Sequence, residues 1–142
     1  MTSDRRPAAT RRIRLTYADT DAAAILYFAA WFPFMERVSV EWAFDRGFRY
    51  DRILDEHGAA PVARATSCEY LAKTQVYDEI DIDMRVDHIG ARSYRLAFTM
   101  TRFPDRVIVA RSLLTLVCID AGGRSTTIPA ALRKVLQEAH DD

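Results

Sequence analysis

The sequence predicts an α+β domain in which an antiparallel sheet of about five strands wraps around one long central helix. Three observations carry this. Between Pro61 and Ile119, four consecutive stretches read as strands separated by turn residues. Around Trp31 to Arg46, apolar side chains recur at helical spacing. A further alternating stretch, Arg12 to Tyr17, precedes that helix.

The chain has 142 residues, 49% hydrophobic and 28% charged. That fits one soluble domain with a real core and is too short for two. Five glycines and five prolines fall below the usual share of roughly 12%, which excludes collagen-like and low-complexity classes. Twenty basic and twenty acidic side chains cancel, so no net field draws nucleic acid or anionic lipid. A net charge near zero also favours self-association. Cys68 and Cys118 lie far apart inside strand-like stretches and make no disulfide framework, so a reducing cytoplasm is the default location.

Residues 1–10 carry Arg5 and Arg6 with no apolar run behind them. They read as a flexible tail rather than a secretory signal, leaving 11–142 as one domain. In Arg12 to Tyr17, Ile13, Leu15 and Tyr17 alternate with Arg12, Arg14 and Thr16, the period of a half-buried strand. From Ala22 to Met35 the chain is apolar but shorter than the roughly twenty residues a membrane span needs, so this segment is expected to be buried. Trp31, Phe34, Met35, Val38 and Trp42 then share one helical face, with Glu36, Arg37, Glu41 and Asp45 opposite. Pro33 suits the first turn of that helix and Gly47 stops it.

Tyr50 to Glu56 adds a short helix ended by Gly58, and Val62 to Leu71 is a partly alternating strand. Ile80, Ile82, Met84 and Val86 alternate with acidic and basic neighbours, as Tyr94, Leu96, Phe98 and Met100 alternate with Ser93, Arg95, Ala97 and Thr99. Val107 to Ile119 is a longer, more buried strand. Asp78, Gly90, Pro104 with Asp105, and Gly122 with Gly123 supply the turns. Pro129 opens a terminal helix carrying Leu132, Val135, Leu136 and Ala139. Hairpin-linked strands make an antiparallel sheet with one face needing cover. Only the helix from Trp31 is long and apolar enough to provide it, which is the hotdog arrangement.

The segment Thr16 to Ala29 reads Thr-Tyr-Ala-Asp-Thr-Asp-Ala-Ala-Ala-Ile-Leu-Tyr-Phe-Ala. It resembles the 4-hydroxybenzoyl-CoA thioesterase family of hotdog enzymes. That family carries Asp-x-Asp-x-x-Gly, two hydrophobic residues and an aromatic between first strand and central helix, then an aromatic-rich helix ending in Met-Glu-Arg. Here Met35, Glu36 and Arg37 supply that ending, and the order of elements agrees from Arg12 to about His140. The resemblance implies that Asp21 is the catalytic carboxylate and that the backbone N–H of Phe28 polarises the thioester carbonyl. Thioester hydrolysis needs a nucleophile or a base. A helix start favours negative charge and offers free N–H groups to an oxyanion. A carboxylate before an apolar segment is also an ordinary cap or turn residue, and that reading stands beside the catalytic one. Asp19 reads as structural, holding the loop through local backbone bonds. The chain departs from the family pattern at Ala24, where Gly is usual, and at Ala30, where Asn is usual.

Tyr27, Trp31, Phe34 and Met35 are candidates for an acyl pocket, and their spacing equally suits a core. The turn Gly90-Ala91-Arg92-Ser93 is similar to a segment of the family, which implies a coenzyme A phosphate on Arg92 and the pantetheine arm near Ser93. A solvated turn arginine is the alternative. Lys73, Thr74 and Gln75 end the preceding strand, a place that lines the neighbouring subunit's pocket in related enzymes. Glu36 is a second candidate acid, but the His-Gly pair that accompanies a helix-borne Glu is absent, and Glu36 beside Arg37 suits an ion pair. His57, His88 and His140 make no metal-ligand spacing with either cysteine. No metal or cofactor is expected.

The expected activity is hydrolysis of an acyl-CoA thioester, with an aryl or medium-chain acyl group, to free acid and thiol. Asp21 acts as nucleophile or general base. A thioesterase acting on an acyl carrier protein is one alternative, and a non-catalytic acyl-binding or scaffold protein of the same fold is another. A five-stranded sheet leaves two edges open, and the resemblance implies a homodimer or homotetramer with Asp21 facing Lys73 to Val76 of the other subunit. No nucleic-acid or membrane partner is expected.

Overall fold

The structure is a computed structural model that describes residues 6–141; of the tail expected over 1–10, residues 1–5 lie outside the described residues. The first strand, β1 (Ala9–Arg14), begins earlier than the alternation suggests and ends before Leu15. Backbone pairing with the third strand decides this. Ala9 lies opposite Met84 and Arg14 opposite Glu79, and the Ala8 N–H donates to the Met84 carbonyl at 2.7 Å. Ala8 to Thr10 are therefore held by the sheet rather than free. Tyr17, expected on the buried side, falls in a single 3-10 turn over Tyr17–Asp19 and is 69% exposed.

Helix α1 (Trp31–Asp45) buries Trp31, Met35, Val38 and Trp42 on the predicted face. Its end is tied off by the Phe48 N–H donating to the Ala43 carbonyl at 2.9 Å, with Gly47 at φ +92° supplying the left-handed turn. A short α2 (Ile53–His57) ends at Gly58, again left-handed at φ +75°. Then come β2 (Ala60–Tyr70), β3 (Glu79–Ile89), β4 (Ser93–Phe103), β5 (Ile108–Ile119) and α3 (Ala130–Asp141).

All five strands form one antiparallel sheet in the order β1-β3-β4-β5-β2. In β3 and β4, Ile80, Ile82, Met84, Val86, Tyr94, Leu96, Phe98 and Met100 are buried on one face, as their alternation dictates. The opposite face carries ion pairs, including Arg12 with Asp81 at 2.7 Å and Arg14 with Glu79 at 2.8 Å. Such exposed pairs set register more than stability. Cover of the apolar face is shared: Leu132 and Leu136 of α3 are buried in the same core as α1, with α3 packed against β3. Among the described residues three helices accompany the sheet, the short and terminal helices expected from the sequence among them. Edge strand β2 has little cover, and most of it is exposed.

Candidate active site

The site lies where the chain turns back between β1 and α1. The Asp21 N–H donates to the Ile25 carbonyl at 2.9 Å, and the Tyr27 N–H donates to the Asp19 carbonyl at 2.9 Å. Thr20 pairs with Leu26 between them. The result is a tight loop tipped by three alanines, whose small side chains allow the reversal. Ala24 takes φ +60°, the left-handed conformation that favours glycine. Asp19 holds the base of the loop, its Oδ2 accepting the Thr16 N–H at 2.9 Å.

The expected buried run from Ala22 to Met35 is only partly buried. Ala22, Ala23, Tyr27 and Phe28 are exposed, because the loop's backbone bonds run to its own flanks and to an edge segment rather than into the core. Residues 24–26 act as an extra short strand against the segment after β2. Leu26 N–H donates to the Thr74 carbonyl at 2.9 Å, and Val76 N–H donates to the Ala24 carbonyl at 3.1 Å. Thr74 to Val76 thus flank the Asp21 loop of their own chain.

Asp21 is exposed, and its Oδ1 accepts the Ala23 N–H at 2.8 Å. This turn bond orients the carboxylate, and Oδ2 accepts no hydrogen bond among the described residues. The helix begins at Trp31 with Ala30 as its cap, so the Phe28 N–H precedes the helix and is not one of its terminal donors. It too donates to nothing among the described residues. The Phe28 carbonyl accepts the Tyr70 hydroxyl.

Beside this loop runs a groove of about 360 Å³. Ile25, Leu26 and Trp31 form one wall, and Tyr70, Leu71, Ala72, Lys73 and Thr74 form the other. Of the residues singled out from sequence, the groove gathers Trp31, Lys73 and Thr74. Asp21 and Phe28 do not line it, but each is hydrogen-bonded to a residue that does, Asp21 to Ile25 and Phe28 to Tyr70. Tyr27 lies against Phe28, ring centroids 4.8 Å apart, and Met35 is enclosed in the core. Thr74 is only 4% exposed and lines the groove. The Lys73 carbonyl accepts Arg102 Nη1 at 2.5 Å, and Arg102 is itself gripped by Asp105 at 2.8 Å. That contact holds the Asp105 carboxyl below its ordinary range.

Arg92 and Ser93 lie at the other end of the sheet, the length of β4 away, roughly 30 Å. There Arg92 donates to Ser125 Oγ at 3.1 Å. Groove residues Tyr70, Leu71 and Ala72 carry no chemical motif, and only contact reveals them. Ile25 and Leu26 had a signal in the paired hydrophobic residues of the motif. Among the described residues, no three His, Cys, Asp or Glu side chains gather as a metal-ligand set.

Residues 15–136 match the model of the Thioesterase-like superfamily. The acyl-CoA thioesterase YbgC of Haemophilus influenzae is 22% identical over 110 residues, 78% of this chain and 79% of that protein. Among solved structures, a 1,4-dihydroxy-2-naphthoyl-CoA thioesterase from Synechocystis superposes with a TM-score of 0.83 at 16% identity, covering 92% of this chain and 96% of that one. A Staphylococcus aureus protein solved in complex with CoA gives 0.84 at 13% identity, covering 93% and 83%. At these identities the structures establish a shared fold.

Proposed function

The chain belongs to the thioesterase-like superfamily and is a thioester hydrolase; from that premise we propose that it cleaves acyl-CoA thioesters, with Asp21 supplying the reacting carboxylate. One observation carries the assignment. Among the described residues, Asp21 has one oxygen held by the Ala23 N–H and the other unbonded, in a loop that also presents the unbonded Phe28 N–H and supplies Ile25 and Leu26 to the groove wall. As a general base, Asp21 takes a proton from water while the hydroxide adds to the thioester carbonyl. The Phe28 N–H receives the oxyanion, and collapse of the adduct breaks the C–S bond and releases the thiolate. As a nucleophile, Asp21 adds to the carbonyl itself, the C–S bond breaks and the thiolate leaves, and water then hydrolyses the resulting mixed anhydride to the free acid and restores the Asp21 carboxylate.

Support for substrate contact is most direct at Thr74, which is 4% exposed and lines the groove. Ile25, Leu26, Trp31 and Leu71 offer apolar walls to an aryl or medium-chain acyl group. Tyr27 and Met35 stand farther out and deeper in, and Lys73 lies at the rim. Assembly is supported by β2, an exposed edge strand whose last residue, Tyr70, lines the groove. On this reading the coenzyme A arm meets Arg92 and Ser93 of a second copy pairing there, because the same chain's Arg92 lies about a strand's length from the groove. In this reading α1 is the helix around which the sheet rolls, the working unit is a homodimer or homotetramer, and the location is cytoplasmic. The test is thiol release from a panel of acyl-CoA and acyl-carrier-protein thioesters. Release from acyl-CoA is expected. Turnover confined to the carrier-bound thioesters would replace the substrate class, and none on either would support a binding protein of the same fold.

A further inference from the structure

Phe28 is held by little. It lies ahead of the Ala30 cap and outside the helical ladder, its side chain is 65% exposed, and its N–H donates to nothing among the described residues. The Ala30 N–H reaches past it to the Tyr27 carbonyl at 2.9 Å, so the local turn ties down neither Phe28 peptide group. Among the described residues, the hydrogen bond on the Phe28 backbone is the Tyr70 hydroxyl donating to its carbonyl. Tyr70, by contrast, stands on a fixed support. It pairs with Ala110 at the end of the β2–β5 ladder, and the next residue, Leu71, donates its N–H to the Val109 carbonyl at 2.8 Å. The soft partner is therefore the loop and the rigid partner is the strand.

We propose that Tyr70 is a positioning residue, whose hydroxyl fixes the Phe28 backbone so that the Phe28 N–H meets the developing oxyanion. The inference rests on the reading of Phe28 as oxyanion donor. Such a donor works only when it is already placed where charge develops, because a loop that must reorganise at the moment of reaction loses most of the stabilisation. Partial burial, together with Cys68 alongside, raises the phenol above its ordinary pKa, so the hydroxyl remains a donor through neutral and mildly alkaline solution. The ring also lines the groove, which makes the hydroxyl and the ring separable by substitution.

Tyr70→Phe keeps the ring and removes only the hydroxyl. With the acyl-CoA that the parent protein hydrolyses fastest, kcat is expected to fall about tenfold to a hundredfold, less than the loss on deleting such a donor outright. KM should stay within about twofold and the melting temperature should be unchanged. A kcat within about twofold of the parent overturns the proposal. So does a rise in KM at constant kcat, which makes Tyr70 a substrate contact, or a lowered melting temperature with kcat per folded molecule unchanged, which makes it structural. Asp21→Asn, measured alongside, separates the two levels. If that variant is inactive while Tyr70→Phe is fully active, the positioning role fails and the functional reading stands; if Asp21→Asn retains turnover, the functional reading itself fails.

Discussion

Leu26 donates its N–H to the Thr74 carbonyl at 2.9 Å, so the loop carrying Asp21 and the segment leaving β2 form one hydrogen-bonded unit. Arg102 grips the neighbouring Lys73 carbonyl from β4 at 2.5 Å. The carboxylate is thereby referenced to the sheet through backbone bonds rather than through packing of its own side chain. Chemistry at Asp21 is accordingly expected to be separable from the stability of the fold.

Asp21→Asn tests that separation. An amide oxygen can still accept the Ala23 N–H, so circular dichroism and melting temperature should match the parent. Turnover should fall at least about a hundredfold with the loss of base or nucleophile.

Ala24→Gly should stabilise the protein. Ala24 sits at φ +60°, where a Cβ costs about 1–2 kcal/mol. Glycine's greater freedom in the unfolded chain offsets about 0.5–1 kcal/mol of that. A net gain of about 0.5–1 kcal/mol should appear as a higher urea midpoint at constant slope. A lower midpoint would contradict the left-handed loop.

Thr74→Val keeps the shape of a side chain that lines the groove, so stability should change by less than about 0.5 kcal/mol. Its expected effect is a several-fold higher KM. Unaltered kinetics would take Thr74 out of the substrate site.

Arg92→Ala should raise KM for coenzyme A thioesters and leave kcat for a truncated pantetheine thioester unchanged. Because Arg92 is a strand's length from Asp21 in one chain, this effect requires a second subunit. Sedimentation at micromolar concentration should show a species larger than 16.2 kDa. A fully active monomer would sink both the shared site and the assembly.

Alkaline solution should destabilise the protein through Tyr94. Burial first, then the facing Tyr50, raises its pKa well above the ordinary value. The stabilisation is therefore fully present below the unfolded value of about 10. As pH rises past 10 the unfolded chain gives up that proton while the folded chain keeps it, so stability falls. Tyr94→Phe should flatten the alkaline limb of a plot of melting temperature against pH, and an unchanged limb would assign it to other groups.

Element identities were legible before any contact was known. Ile80 to Val86 and Tyr94 to Met100 alternate because each strand buries one face, and Trp31 to Trp42 repeats at helical spacing because one stripe meets the core. Both periods are local properties of the backbone. The resemblance of the loop segment to the family implied roles for Asp21 and Phe28. Ala24 carried its own signal, standing where the family has glycine, and its positive φ is what that glycine position requires.

Pairing and proximity were not legible in this way. Nothing in the spacing of Tyr17 says that β1 leaves the sheet before it, since that depends on where β3 begins. Nothing in Tyr70 announces Phe28, and nothing in Arg102 announces Lys73, because these contacts join residues distant in sequence through the order β1-β3-β4-β5-β2. Side-chain periodicity records only which face of an element is buried. Which elements become neighbours, and so which groups surround the carboxylate, is a property of the assembled sheet and is settled by long-range backbone hydrogen bonding and the burial of a common core.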